Sequence, residues 1–375
     1  MNTRFDSLRP YCQPEVASAM QRIADSKYLP EIAKFIFPEK ETGEVREMLR
    51  QVRTTDEFQA QFMYCFNQAV IDKFTDQFTF DGITHMSTEK RYLFVSNHRD
   101  IMLDSSLLQY LLFRNRFRTT EITFGSNLMS SQLLIDIGKS NKMFTVIRGG
   151  NLRDFYKNSM HLSEYIRHTI TEKKESVWIA QRNGRTKDGN DATDQGIIKM
   201  FCMSKPSDPV RAIGELNIIP VAVSYQIEPC DLFKTRELYL SLGGKKYVKQ
   251  ENEDLNSILT GITQPKGNVH ISICEPLREQ EFSPVASPPN EFYKKVASLI
   301  DKRIHKGYKL HSNNYIAHDI RSGRDTCAVH YTPEEKNLFL ARCEQTLQQI
   351  EGDRQTLRAI YLGIYANPVD KSADL

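Results

Sequence analysis

From Tyr92 to Cys274 the chain carries a series of short apolar runs, most of them rich in Val and Ile, each followed by a longer segment with helical spacing. That alternation predicts an α/β domain on a mixed, mostly parallel sheet flanked by helices. The runs are 92–96, 120–124, 143–147, 176–180, 218–224, 237–242 and 269–274. They show little polar alternation, as expected of strands buried on both faces. Helices fit between them at 100–113, 128–138, 151–172 and 195–204.

On either side of this region the periodicity is helical. Blocks at 14–25, 30–37, 43–52 and 55–77 predict a helical N-terminal region over 1–80. The last block places Phe58, Phe62, Phe66, Val70, Ile71 and Phe74 at three- and four-residue spacings, the pattern of a helix seam. The α/β domain then runs over 81–282, and a Pro- and Ser-containing connection at 283–289 opens a helical C-terminal tail, 283–375. Within the tail a helix fits 290–305, 306–332 is polar with little periodicity, and helices follow near 333–351 and 353–366, starting from Thr332-Pro333.

Composition narrows the function classes. The 375 residues are 40% hydrophobic and 26% charged, ordinary globular usage that excludes wholesale disorder or a fibrous repeat. Fifty Lys and Arg against 47 Asp and Glu leave a net charge of +3, too mild for a nucleic-acid binder. The seven cysteines are scattered, without a CxxC pair or zinc-type spacing, and read as reduced thiols of a cytoplasmic protein. The N-terminus lacks the apolar core of a signal peptide, and no run approaches the roughly 18 apolar residues that span a bilayer. A protein that is soluble, or at most lies on a membrane, is expected.

The sharpest local feature is Asn97-His98-Arg99-Asp100-Ile101-Met102-Leu103-Asp104, a histidine between an apolar strand and a helix. Function in open α/β sheets concentrates at such strand ends. A carboxylate one turn into the helix can hold Nδ1–H of His98 and leave Nε2 free as a base. The competing reading is a capping loop, with Asp100 as the cap and Asp104 on a solvated face. There is no GxSxG, so a His–Asp dyad here would activate a substrate hydroxyl.

The second feature is charge placement. Between Lys139 and Lys187 eleven Lys and Arg stand against four acids, an excess of seven. Two of the basic clusters follow strands: Arg148-Gly149-Gly150, and Gln181 to Gly189 with Arg182, Gly184, Arg185 and Lys187. Arginine beside glycine at a strand end suits a phosphate, through bidentate bonds and close backbone approach. A solvated basic face with ordinary turns is the alternative.

Taken in order, these features resemble the glycerolipid (phosphate) acyltransferases, which include glycerol-3-phosphate and 1-acylglycerol-3-phosphate acyltransferases. The resemblance runs from about Phe80 to Leu277. Asn97-His98 to Asp104 is similar to the family's His/Asp block, and Phe124 to Arg148, with Gly125 and Asn127, to its second block. Gln181 to Gly189 is similar to the third, Ile218 to Tyr225 with Pro220 to the fourth, and Val269 to Leu277 to the closing strand. Two departures stand out. Five residues, not four, separate His98 from Asp104, which leaves Asp100 as a competitor, and the third-block Glu has no counterpart beyond Gln181 or Arg182.

The resemblance implies acyl transfer from acyl-CoA or an acyl-carrier protein to a hydroxyl of a glycerol-phosphate or lysophospholipid acceptor, without metal or bound cofactor. His98 is then the general base and Asp104 its orienting partner, with backbone N–H groups at 99–101 as candidate oxyanion donors. Asn97, Gly125, Asn127, Arg148, Arg182, Gly184, Arg185, Lys187 and Pro220 are the substrate-binding candidates, and the arginines would take phosphate. Residues 1–80 are expected to form a packed cap, and the protein to work in the cytoplasm, peripheral on the inner face of the membrane. Two alternatives remain at this point: an O-acyltransferase of an acylated amino acid in aminolipid synthesis, and a non-catalytic lipid- or acyl-carrier-binding homologue.

Overall fold

A computed structural model of the chain describes residues 3–147, 149–283 and 289–373. Arg148 and most of the expected connection at 283–289 lie outside the described residues. Among the described residues seven strands form one sheet: β1 (Gln77–Asp81), β2 (Leu93–Ser96), β3 (Thr120–Gly125), β4 (Met143–Val146), β5 (Ser176–Ala180), β6 (Ile218–Tyr225) and β7 (Asn268–Ile273). Their order is β1-β7-β6-β2-β5-β3-β4. Every pairing is parallel except β6 with β7, so the sheet is mixed and mostly parallel.

The helices, in chain order, begin with α1 (Gln13–Ala24), α2 (Leu29–Ile36), α3 (Thr42–Gln51), α4 (Thr55–Phe58) and α5 (Tyr64–Phe74) in the N-terminal region. Between strands come α6 (Leu103–Arg114), α7 (Gln132–Ser140), α8 (Leu152–Thr171), α9 (Gln195–Cys202), α10 (Pro209–Gly214), α11 (Asp231–Leu240) and α12 (Glu253–Thr263). The C-terminal region holds α13 (Glu279–Phe282), α14 (Pro289–Lys306), α15 (Ser312–Ser322), α16 (Pro333–Leu347) and α17 (Arg354–Ala373).

Strand alternation divides the core into two layers. Leu93, Val95, Val177 and Ile179 pack with Leu162 and Ile166 of α8 and Val296 and Ile300 of α14. Phe94, Trp178 and Ile219 point the other way, onto Leu107 and Leu111 of α6. All four residues of β2 are buried, as a strand covered on both faces must be. The N-terminal helices keep a core of their own, including Val16, Met20, Leu49 and Phe62, which also receives Leu133 and Ile137 of α7. The C-terminal helices build another around Tyr361 and Tyr365, joined by Leu238 of α11.

Three sequence expectations fail, each for a physical reason. Residues 237–242 are not a strand: they are the end of α11 and a 3-10 turn, with Leu238 packed inward and Leu240 and Leu242 exposed. Over six residues, apolar alternation does not separate a strand from a helix end. The helical block expected over 55–77 stops at Phe74 and the N-terminal region is not helical to 80: residues 77–81 are edge strand β1, paired among the described residues with β7 alone. The stretch 306–332 contains a helix, α15, whose inward face includes Asn313 and Asn314. Their amides bond the carbonyls of Gln226 and Tyr365, so only Ile316, Ala317 and Ile320 carry the apolar stripe, too short a period to stand out. No helix among the described residues is long and apolar enough to cross a membrane.

Candidate active site

Parallel register brings the ends of β2, β5 and β6 to one rim, because Ser96 stands beside both Ala180 and Val221. His98 leaves β2 at that rim. Its Nδ1 lies 2.9 Å from Asp104 Oδ2, and since a carboxylate only accepts, Nδ1 carries the proton. Nε2 has no hydrogen-bond partner among the described residues. The side chain is 13% exposed, shielded yet reachable. Trp178 of β5 meets it edge-on, with ring centroids 5.8 Å apart, and its own indole N–H is buried without a partner.

Asp104 is fully buried and surrounded by donors. Besides His98, its Oδ2 accepts from the amides of Arg99 at 2.6 Å and Asp100 at 2.9 Å, and its Oδ1 from the Tyr225 hydroxyl at 2.8 Å. Burial, followed by the Asp104 charge, pushes the Tyr225 phenol well above its ordinary value, so it stays a donor. The amides at 99 and 100 are therefore committed to Asp104, against the expectation that they serve an oxyanion. Asp100, the competing carboxylate, instead caps α6: its Oδ1 accepts from the amides of Met102 and Leu103 at 2.9 and 2.8 Å. Its Oδ2 is buried without a partner against Gly261. Burial, then the Asp104 charge, raises the Asp100 carboxyl above its ordinary value.

Directly behind His98 lies a network that sequence reasoning missed. Arg99, 5% exposed at its side chain, ion-pairs with Asp191 at 2.7 Å and Glu228 at 3.2 Å, and bonds the Gly189 carbonyl. Lys234 of α11 closes the ring through Glu228 at 2.6 Å and the Arg99 carbonyl at 2.7 Å. Tyr308 adds a hydroxyl to Asp191 at 2.6 Å. Burial works against the Arg99 charge, but Asp191 and Glu228 outweigh it and hold the guanidinium well above its ordinary value. Asp191 is likewise held low, Arg99 overcoming its burial.

The predicted substrate-binding residues divide. Asn97 is fully buried, its amide bonded to Asp191, to the Val223 carbonyl and to the Val223 amide, so it ties β2 to β6. Pro220 sits inside β6, opposite Val95. Gly125 ends β3, and Asn127, exposed in the next turn, bonds Asp254 of α12 at 3.1 Å. The segment 181–189 returns to the histidine: the Thr186 amide donates to the His98 carbonyl at 2.7 Å, and Gly184 turns the chain at φ +77, a backbone state that favours glycine.

Most of the basic excess at 139–187 is spent inside the molecule. Lys142 pairs with Asp56, Arg167 with Glu215, Lys173 with Glu121 and Lys187 with Glu237. Lys139 is buried against the carbonyls of Leu8 and Arg9, and burial lowers it to about 8. Arg182 and Arg185 are half-buried and form no ion pair among the described residues. One Arg185 guanidinium nitrogen is buried with no hydrogen-bond partner among the described residues, and its charge is felt by Asp100 and by Cys230. A buried donor left open is the feature expected where an anionic ligand supplies the missing acceptor.

No protein-family model and no curated protein matches the sequence. Among solved structures, the 1-acyl-sn-glycerophosphate (LPA) acyltransferase PlsC from Thermotoga maritima is similar over 76% of this chain and 94% of that chain, with 13% identity and a TM-score of 0.34. At that score the likeness assigns no role to any residue. A group with metal-ligating side chains does occur, His318, Asp319 and Cys327 on α15 and the turn after it. There the Asp319 carboxylate is already engaged by the Cys327 amide and the Tyr331 hydroxyl.

Proposed function

We propose that the protein is an O-acyltransferase that moves a fatty acyl group from acyl-CoA or an acyl-carrier protein to the hydroxyl of a glycerol-phosphate or lysophospholipid acceptor. The observation that carries this reading is the His98–Asp104 pair at 2.9 Å, with Nε2 unpartnered and no serine elbow in the sequence. A dyad of this kind has a base and its orienter but no protein nucleophile, so the attacking oxygen belongs to the substrate.

In the proposed step His98 Nε2 takes the hydroxyl proton as the acceptor oxygen attacks the thioester carbonyl carbon. Asp104 stabilises the imidazolium and, through Nδ1–H, fixes the tautomer. The carbon–sulfur bond then breaks and the proton passes from Nε2 to the departing thiolate. Arg185, with its open guanidinium nitrogen, is assigned to the acceptor phosphate, with Arg182 alongside. The ordered blocks between Phe80 and Leu277 support the same assignment.

The test is release of free thiol from a long-chain acyl-CoA, and separately from an acyl-carrier protein, by the purified chain with a panel of acceptors. Acceptor-dependent thiol release that His98→Ala abolishes supports the reading. Binding of acyl donor without turnover by the unaltered chain would replace it with the non-catalytic one.

A further inference from the structure

Helix α8 outruns the core it serves. Its buried apolar residues begin at Leu162 and continue through Tyr165, Ile166 and Ile170. Residues 152–157 are exposed apart from half-buried Asp154, whereas 158–161 are half-buried with His161 stacked on Phe5, so about 9 Å of helix at 1.5 Å per residue lies open to solvent. The apolar stripe does not stop where burial stops. Leu152, Phe155 and Tyr156, at i, i+3 and i+4, are 88%, 66% and 58% exposed. Helical amphipathicity continued into open solvent calls for a partner.

A second exposed segment reaches the same rim from elsewhere in the chain. Between α11 and α12, Leu242 and Val248 are 46% and 77% exposed, beside Lys245, Lys246 and Lys249. Lys249 pairs with Asp254, and Asp254 accepts from Asn127 in the turn after β3. Gly125 stands beside Val146 in the β3–β4 register, so β3 and β4 end together, and α8 begins at Leu152. Both apolar segments thus lie toward the side of the sheet where β2, β3 and β4 end, the rim that bears His98. Each carries cations that form no ion pair among the described residues, Arg153 and Lys157 on one and Lys245 and Lys246 on the other, although the second also holds Glu251 and Glu253, the latter accepting from the Tyr247 hydroxyl. Of the two α8 acids, Asp154 is engaged in capping its own helix and Glu164 pairs with Arg4.

We propose that this rim docks on an anionic bilayer, with Leu152, Phe155 and Tyr156 on one side and Leu242 and Val248 on the other entering the head-group layer. The four unpaired cations meet the lipid phosphates. Exposed aromatic and aliphatic side chains ringed by Lys and Arg match the interfacial zone of a membrane, where apolar burial and surface charge act together. This partner rests on the acyl-transfer reading, since it would bring a lipid acceptor to His98 without a spanning helix. The docking itself is measured apart from catalysis.

The experiment is co-sedimentation of the full chain with vesicles of phosphatidylcholine alone and of phosphatidylcholine with 30–40% phosphatidylglycerol, roughly the charge density at which basic surfaces respond. Binding is expected only with the anionic vesicles, weakening as salt rises. The double variant Leu152→Ser/Phe155→Ser should weaken it by about tenfold or more, and Val248→Asp should weaken it too. His98→Ala should bind as the unaltered chain does, so failure of the acyl-transfer reading would leave this result standing. The Leu152/Phe155 variant should also keep its turnover of a short, water-soluble acceptor. No binding to anionic vesicles, or equal binding by the double variant, overturns the proposal. So does self-association, or capture of an acidic carrier protein, that the variants abolish while vesicle binding is absent.

Discussion

Asp104 lies six residues after His98, yet its Oδ2 stands 2.9 Å from Nδ1 of that histidine and also accepts the amides of Arg99 and Asp100. The contact forms because α6 begins at Leu103 and the residues between make a turn, with Asp104 in its first helical turn. Asp100 caps that turn through the amides of Met102 and Leu103. His98→Ala should therefore lower acyl transfer by roughly 10²- to 10⁴-fold, the range for a lost general base. Asp104→Asn should cost about 10²-fold or more by disturbing the tautomer, and Asp100→Asn less. Steady-state kcat/KM for the three variants, with circular dichroism to confirm folding, checks this order. A larger loss from Asp100→Asn would reassign the orienting carboxylate.

The acceptor phosphate is expected to depend on Arg185 rather than Lys187, because Lys187 already pairs with Glu237 while Arg185 keeps an open nitrogen. Arg185→Glu should raise KM for a phosphate-bearing acceptor by roughly 10- to 100-fold, the worth of a charge-assisted bond. Lys187→Met, which removes a partly exposed pair, should change it by no more than about twofold. An acceptor KM that ignores Arg185 would favour an acceptor without phosphate, such as an acylated amino acid.

Arg99 should matter for stability more than for chemistry. Replacing it with Met leaves Asp191 and Glu228 buried without their common cation, a loss of about 3–5 kcal/mol for a broken buried pair. Chemical denaturation of Arg99→Met should show its midpoint well below that of the unaltered chain. A midpoint shift worth less than about 1 kcal/mol would mean that Lys234 alone balances the two carboxylates.

Acid should destabilise the fold through His311. Burial first, then the nearby His270 and Lys309 charges, push His311 down from 6.5 to about 4, and its Nε2 is buried without a partner. Between those values the unfolded chain binds a proton that the folded one does not, so stability falls as pH drops from about 6.5 toward 4. Over that window the loss reaches about 3 kcal/mol. His311→Gln should remove this part of the slope in denaturation curves taken at several pH values. An unchanged slope would assign the acid sensitivity elsewhere.

Local chemistry made the dyad legible in the sequence. An apolar run, a histidine and a helix start follow one another within a dozen residues, and the strand-to-helix turn is built by neighbours along the chain. The same holds for β2 through β6, whose apolar runs are read from side-chain type alone. Edge strand β1 was hidden by the helical stripe before it, and α15 by an apolar stripe of only Ile316, Ala317 and Ile320, with polar Asn313 and Asn314 sharing its inward face.

The sequence by itself determined the α/β alternation and the rim on which His98 stands, because both rest on periodicity and short-range order. Only the tertiary structure decided which charges remain for a ligand. Arg99 meets Asp191 across 92 positions and Glu228 across 129, and Lys234 reaches the Arg99 carbonyl across 135. A count along the chain sees a basic excess at 139–187, whereas folding neutralises Lys142, Arg167, Lys173 and Lys187 with acids from other elements. Charge pairing acts through space over a few ångströms, so it is set by where the sheet returns each loop, and that return leaves Arg185 open.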